Sequence, residues 1–433
     1  MKLAAGRTLL ALAGLCVAAP INLAAVAIAQ AATTPEPAWS RAPSARRTVL
    51  ISGGKMTKAL QLARSFHSAG HRVVLVESAK YRFTGHRFSR AVDAFHVVPE
   101  PTAPGYGEAL LEIARAERAN VYVPVSSPAS SVPDADAGRL LDGVCEVVHV
   151  DAATVRRLDD KAEFSDMARS LGLRVPDSHR ITDPRQIEEF DFPEGRSYIL
   201  KRIAYNPVGR MDLTPLSRDT PERNVAFART LGMTADDPWI LQEFIAGQEY
   251  CTHGTVREGR LQVYACCESS AFQINYEQID KPEILDWVQR FVAGFPVTGQ
   301  LSFDFIEGDD GHPYAIECNP RTHSAITMFY DHPEVAAAYL EDGHRMITPT
   351  PSARPTYWIY HELWRLVTQP NRRRRIATIV RGTDAIFSRW DPLPFLAVHH
   401  LQIPSLLWRN LRRGGTWTRI DFNIGKLVES GGD

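Results

Sequence analysis

The sequence predicts an α/β protein whose first folded unit is a doubly wound parallel sheet, preceded by a single hydrophobic helix. Three observations carry that expectation. Between Thr48 and Val150, short apolar runs alternate with helically spaced stretches, the pattern of a parallel sheet covered on both faces. Upstream, Thr8 to Ala32 contains no charge and is rich in Leu, Ala, Val and Ile. Of 433 residues, 44% are apolar and 23% charged, a globular composition with material for more than one core.

The first segment, residues 1–47, holds the apolar stretch and a Pro/Ala/Ser linker. As helix, Thr8 to Ala32 is about 37 Å long, against a bilayer core of about 30 Å. Lys2 and Arg7 precede it, whereas Arg41, Arg46, Arg47, Lys55 and Lys58 follow. The positive-inside rule then keeps the downstream chain in the cytoplasm, which favours an uncleaved single-pass membrane anchor. The competing reading is a cleaved signal peptide with Ala29-Gln30-Ala31 as its processing site.

Residues 48–155 make the doubly wound unit. Thr48-Val-Leu-Ile-Ser52 is a strand, Gly53-Gly54 a turn, and Met56 to Gly70 a helix with Leu60, Ala63 and Phe66 on one side. Further strands run over 71–76, 120–125 and 145–150, with a helix over 108–119. Gly-x-Gly-x-x-Gly is absent, so this is not a dinucleotide fingerprint. Lys55 and Lys58 beside the turn suit an anionic ligand or plain solvation.

Charge and cysteine usage exclude other classes. Lys+Arg total 49 and Asp+Glu 50, which argues against a nucleic-acid partner, since phosphate contacts need a basic excess. The six cysteines show no Cys-x-x-Cys pair, so neither a disulfide framework nor a zinc site is expected.

Residues 156–346 carry the chemistry. A helix opens at Lys161 and ends at Gly172. Tyr198-Ile-Leu-Lys201 and 238–245 are strands. Two more, 300–306 and 314–319, are joined by a Gly- and Asp-rich turn. Asp304 interrupts an apolar strand. Glu317 and Asn319, two apart, share a face of the next. Such oxygen-bearing side chains are costly on an apolar sheet unless a cation neutralises them, and hard divalent ions prefer oxygen ligands. Arg321 follows and can hold a phosphate. Leu241-Gln-Glu-Phe-Ile245 offers apolar walls and backbone groups for an adenine ring. Glu249 can accept from ribose hydroxyls, and Lys201 can meet phosphates as a point charge.

In this order and spacing, these residues resemble the ATP-grasp superfamily from about Thr48 to Met346. The resemblance implies an ATP-grasp fold, with a lid over about 160–245 and a metal and phosphate half over about 246–346. It implies that Lys161 and Lys201 contact ATP phosphates, with Lys201 and Arg321 catalytic. Gln242 and the backbone around Glu243, Phe244 and Ile245 would read adenine, and Glu249 would hold ribose. Asp304, Glu317 and Asn319 would bind two Mg²⁺, with Mn²⁺ an alternative, and Arg321 would stabilise the transferring phosphoryl group. One departure is the lid loop Tyr205-Asn-Pro-Val-Gly-Arg-Met211, with a single glycine where many members are glycine-rich. Arg202 or Arg210 would then grip phosphate instead.

Several strings resemble the ATP-grasp mycosporine-glycine synthetases of mycosporine-like amino acid biosynthesis. They include Ser52-Gly-Gly-Lys-Met-Thr-Lys-Ala-Leu-Gln-Leu-Ala-Arg64, Glu317-Cys-Asn-Pro-Arg-Thr-His-Ser-Ala-Ile-Thr-Met-Phe-Tyr330 and Asp421-Phe-Asn-Ile-Gly-Lys-Leu-Val428. This resemblance implies a ligase joining glycine to the cyclohexenone 4-deoxygadusol through a phosphorylated enol. Candidate acceptor-site residues are Lys55, Asn275, Tyr276, Thr322 and His323. Two alternatives stay open: an ATP-grasp ligase for another amino-acid or peptide carboxylate, and a non-catalytic, membrane-tethered nucleotide-binding protein. Intact Asp304, Glu317, Asn319 and Arg321 speak against the second.

Residues 347–433 read as a helical, Arg-rich extension. From 372 to 413 there are nine arginines, no lysine and two acids. The extension either covers the core with solvated arginines or lies on anionic lipid beside the N-terminal helix.

Overall fold

A computed structural model of the chain describes residues 2–32, 34–36, 45–203, 212–269 and 275–429. Five strands, β1 (Thr48–Ile51), β2 (Arg72–Ser78), β3 (Ala94–Val98), β4 (Val121–Val123) and β5 (Glu146–Val147), form a parallel sheet ordered β3-β2-β1-β4-β5. The helix Thr57–Ser68 follows β1 and buries Leu60, Ala63 and Phe66 completely, as their spacing requires. The turn between them needs Gly53. Its φ is +68°, and a Cβ there would stand 2.1 Å from the Val125 carbonyl oxygen. β3 escapes the sequence reading because it is a half-exposed edge strand with His96 at its centre.

Next comes a small antiparallel sheet of β6 (Ser178–Ile181), β7 (Tyr198–Arg202) and β8 (Trp239–Glu243), ordered β6-β8-β7. It has its own core around Ile181, Tyr198, Leu200, Leu216 and Leu241. The loop 205–211, singled out in the sequence, lies outside the described residues.

The main sheet starts with the hairpin β9 (Gly247–Arg257) and β10 (Arg260–Glu268). After β11 (Asn275–Tyr276), which belongs elsewhere, come β12 (Gly299–Gly308) and β13 (Pro313–Asn319), giving the antiparallel order β10-β9-β12-β13. On one face, Phe303, Phe305, Ala315 and Cys318 pack with Phe164, Trp287 and Phe291 from the helices Lys161–Ser170 and Pro282–Gly294. Each buried aromatic contributes about 1.5–3 kcal/mol. A bulge pairs Asp304 with Glu317 but Phe305 with Ala315, so two β13 residues step past one β12 residue. Asp304, Glu317 and Asn319 are thereby left on the face opposite the aromatics.

The extension is not purely helical, correcting the sequence expectation. β14 (Thr356–Tyr357) and β15 (Thr383–Asp384) join β11 in a sheet ordered β11-β14-β15, and β16 (Trp417–Asp421) pairs with β17 (Lys426–Glu429). Two-residue strands have no periodicity to read. Nor does the extension have a core apart: Trp358, Ile403, Leu407 and Leu427 share one apolar cluster with Val49 and Phe66. Within it, Arg64 Nε meets Asp391 Oδ2 at 2.9 Å, both side chains buried.

Lys2–Ala31 is a single helix, long and apolar enough over Ala5–Ala31 to cross a membrane. Length and composition alone fit an anchor and a signal sequence equally well.

Candidate active site

The polar face of β12 and β13 gathers the charged residues that the sequence singles out. Asp304 and Glu317 lie directly opposite each other on neighbouring strands. Asn319 Nδ2 donates to both carboxylates, to Asp304 Oδ2 and Glu317 Oε1, at 3.3 Å each. Lys161, at the first turn of its helix, reaches Glu317 Oε2 at 3.0 Å. It gets there because Asp160 caps that helix, accepting from the N–H groups of Ala162 (2.9 Å) and Glu163 (3.1 Å). Arg321 donates through Nη1 to Asp159 Oδ1 at 2.9 Å and through Nη2 to Asn319 Oδ1.

The two carboxyls titrate apart. Burial, then the charge of Glu317, pushes Asp304 well above the usual carboxylate range. Lys161, against its own burial, holds Glu317 below that range. Burial opposes the charge on Lys161, but Glu317 and Asp159 outweigh it and its amine is raised. The Lys161 charge compensates Glu317, and the Asn319 amide donates a hydrogen bond to each of the two carboxyls.

The remaining residues expected to meet nucleotide lie on or just after the strands of the small sheet and at the start of β9. Lys201 Nζ donates to Gln242 Oε1 at 3.1 Å, across from β7 to β8. Burial holds the Lys201 amine below the usual lysine range, with Glu317, Glu249 and Asp304 pulling the other way. Gln242 is buried, and among the described residues nothing accepts from its Nε2. Glu243 is only partly available. Its N–H donates to Asp177 O at 2.7 Å, and its carboxylate accepts the Asp177 N–H at 3.2 Å. Phe244 and Glu249 are exposed, and Ile245 is half-buried. Arg202, a candidate phosphate grip, is instead taken by Asp237 at 2.7 Å on the surface.

The chain folds like N5-carboxyaminoimidazole synthetase from Staphylococcus aureus, solved with ADP, at a TM-score of 0.52 and 14% identity, over 71% of this chain and 80% of that one. Biotin carboxylase from Campylobacter jejuni matches at 0.52 and 14%, over 68% and 71% of the two chains. Phosphoribosylamine–glycine ligase from Thermotoga maritima matches at 0.51 and 16%, over 71% and 78%. The chain has the ATP-grasp fold. In sequence, 217 residues are 24% identical to the arginine-specific large chain of mitochondrial carbamoyl phosphate synthase from Neurospora crassa. That match covers 46% of this chain and 18% of the relative, so the chain spans less than a fifth of that protein's length. No family profile matches the chain.

On this ATP-grasp frame, the acceptor candidates divide. Tyr276 and His323 come together, ring centroids 5.3 Å apart and perpendicular, beside the buried Cys251, which is the cross-strand neighbour of Asp304. Lys55 is drawn to Glu77 (3.7 Å) and the Tyr81 ring (4.3 Å). Asn275 donates to Glu362 Oε1 at 3.2 Å. Thr322 is buried, and its hydroxyl is spent on Gln300 Oε1. So Lys55, Asn275 and Thr322 are held by partners within the frame, and Tyr276, itself buried, packs on His323 and Trp358.

Sequence reasoning missed Asp159 and Gln300, and expected Lys58 on an anionic ligand or in solvent, where it is buried instead. Asp159 anchors Arg321, and its signal was readable: of two adjacent acids before a helix, only Asp160 is needed as the cap. Lys58 is buried and donates to Thr322 O (2.6 Å) and Ser126 O (3.1 Å), clamping the Arg321-Thr322 turn to the N-terminal sheet. Gln300 reaches the same sheet through Pro124 O at 3.0 Å. Gln300 is not distinguishable in sequence from an ordinary strand residue, and Lys58, although singled out beside the turn, carries no sequence sign of its burial.

Proposed function

We propose that the chain is an ATP-dependent C–N ligase, and that it joins glycine to 4-deoxygadusol to give mycosporine-glycine. The ligase reading rests on one observation: Lys161, Lys201 and Arg321 surround the Asp304–Glu317 pair on an ATP-grasp frame. The narrower substrates rest on the sequence strings quoted above. The glycine ligase among the structural neighbours supports use of this fold with a glycine amine.

The donor set fits a divalent cation. Asp304 and Glu317 bring hard carboxylate oxygens to one point, and Asn319, whose Oδ1 accepts from Arg321 here, would add its own oxygen on turning its amide. These residues would hold magnesium, with manganese as the alternative, and the ion would supply positive charge that offsets the phosphate charge during transfer. Lys201 and Lys161 meet the phosphates. Gln242 Nε2, a buried donor, matches an acceptor on the base, and Glu249 takes the ribose. Arg321, fixed by Asp159, faces the transferring phosphoryl group. The γ-phosphoryl passes to an enol oxygen of the ring. The glycine nitrogen then bonds to that carbon as its C–O bond breaks, releasing inorganic phosphate beside ADP. Positioning and charge stabilisation are the protein's contribution. ATP and Mg²⁺ are cytoplasmic supplies, so this reading places the catalytic body on the cytoplasmic side.

The test is incubation with ATP, Mg²⁺, glycine and 4-deoxygadusol, with mass detection of product and ADP in equal amounts. ADP formed only with carboxylate acceptors would replace the cyclohexenone by the ordinary carboxylate–amine reaction.

A further inference from the structure

The N-terminal helix does not stand free. Along one face it buries Thr8, Leu15, Asn22, Val26 and Ala29 against the C-terminal extension. Trp417 Nε1 donates to Thr8 Oγ1 at 2.9 Å, and Arg7 stacks on the Trp417 ring at 4.3 Å while donating to Trp417 O at 3.1 Å. Asn22 Nδ2 contacts Tyr360 Oη at 2.6 Å and His400 Nε2 at 2.8 Å. From Thr8 to Ala29 the docked length is about 32 Å, the whole thickness of a bilayer core. A spanning helix would have to break these contacts and leave Asn22 unpaired in hydrocarbon, or drag the extension in with it.

The opposite face is bare. Leu10, Val17, Ile21 and Ile28 are 69–77% exposed and fall at i, i+7, i+11 and i+18, one stripe of the helix. The extension on which the helix docks carries a second apolar set. Tyr360, the partner of Asn22, starts the helix Ile359–Thr368, whose Trp364 and Val367 are exposed. The next helix, Arg372–Arg381, exposes Ile376 and Val380 and buries nothing. A surface this apolar marks an interaction site.

Charge selects the occupant. Over residues 372–413 the nine arginines face only two acids, and both acids turn inward. Asp391 is fully buried on Arg64, and Asp384 spends its oxygens on the N–H groups of Ile359, Ile386 and Phe387. What remains outside is positive: Arg372, Arg373, Arg374, Arg412 and Arg413 are exposed, with Trp408 one turn before Arg412. Exposed tryptophan and arginine beside an apolar stripe match a lipid interface of negative charge.

We propose that the chain is monotopic: the N-terminal helix lies in the plane of an anionic membrane, docked lengthwise on its own C-terminal extension, and both insert their apolar faces from one side.

The test uses the full chain, with an N-terminal affinity tag, on sealed phosphatidylcholine vesicles with and without phosphatidylglycerol. External protease should remove the tag. Brominated acyl chains should quench tryptophan emission, and W364F with W408F should lose that quenching. R372E/R373E/R374E should abolish the preference for phosphatidylglycerol. A protected tag would overturn the in-plane geometry in favour of a spanning anchor. A chain that leaves detergent as a soluble dimer and ignores both vesicles would overturn the membrane assignment. Equal binding of the wild-type chain to both vesicles would overturn recognition of anionic lipid.

Discussion

Arg321 Nη1 donates to Asp159 Oδ1 at 2.9 Å, tying the loop after β13 to the residue two before Lys161. Burial pushes the Asp159 carboxyl up, with Arg321 opposing. Asp159 touches no proposed substrate atom, so its effect passes through the guanidinium. We expect Asp159→Ala to lower kcat by about 10–100-fold, since small misplacement of a charged group carries that cost. KM for ATP should change little. A fall in affinity with unchanged kcat would mean that Arg321 serves ground-state binding instead.

The Asp304–Glu317 pair gives a sharper test. Glu317→Gln removes an oxygen charge and frees Lys161, and Asn319→Ala removes the amide that bridges both carboxylates. Each should reduce ligation by about 10²–10³-fold with the fold retained. Circular dichroism and turnover on the same preparations check this. Near-normal turnover in either folded variant removes that residue from the proposed metal site.

How much of this was legible follows the length scale of each signal. Asp304, Glu317 and Asn319 stand out because polar atoms break an apolar alternation, and β-strand period alone put the last two on one face. The register that sets Asp304 opposite Glu317 was not legible, because it depends on a bulge between Asp304 and Phe305. Lys161 stood at a helix start and gained its role from the resemblance, whereas Asp159, the acid that the Asp160 cap leaves over, was missed. Lys58 and Gln300 act across about 180 to 260 residues of sequence, where local pattern carries no information. The extension's share in the first core was hidden likewise, since Trp358 and Phe66 meet only in three dimensions.

For nucleotide binding, Lys201→Ala should weaken ATP affinity by about 10–100-fold, the cost of losing a charge-assisted contact. Gln242→Ala should weaken it less and also remove a buried donor that finds no acceptor among the described residues. Its stability should therefore fall less than the affinity loss suggests. Calorimetric titration of both, beside thermal melts, separates these effects. Unchanged affinity in both variants would break the nucleotide assignment.

Asp391 offers a stability test far from the chemistry. It accepts from Arg64 Nε (2.9 Å) and Ser89 Oγ (2.6 Å), both buried, and from the part-buried Arg90 N–H (2.9 Å). Asp391→Ala strands the Arg64 charge, which costs about 3–5 kcal/mol when one partner of a buried pair is removed. Denaturant midpoints should show it, and Arg64→Met/Asp391→Leu together should recover part of the loss. Equal loss in the single and double variants would mean that packing, not the stranded charge, sets the cost.

Lys58 gives the pH dependence. Burial, then Arg321 and Lys55, lowers its amine from 10.5 to about 7. Between those values the unfolded chain holds a proton that the folded chain has released. Stability contributed by this group therefore rises with pH across that window, by at most about 1.4 kcal/mol per pH unit. Below pH 7 both states are protonated, and the slope from Lys58 vanishes. Lys58→Met removes the group from both states, so its denaturant midpoint should climb less steeply than that of the wild type from neutral to alkaline pH. Its absolute stability should also fall, because Thr322 O and Ser126 O lose their donor. Parallel slopes in the two proteins would show that Lys58 keeps its charge in the fold, and that its two carbonyl partners hold an ammonium ion.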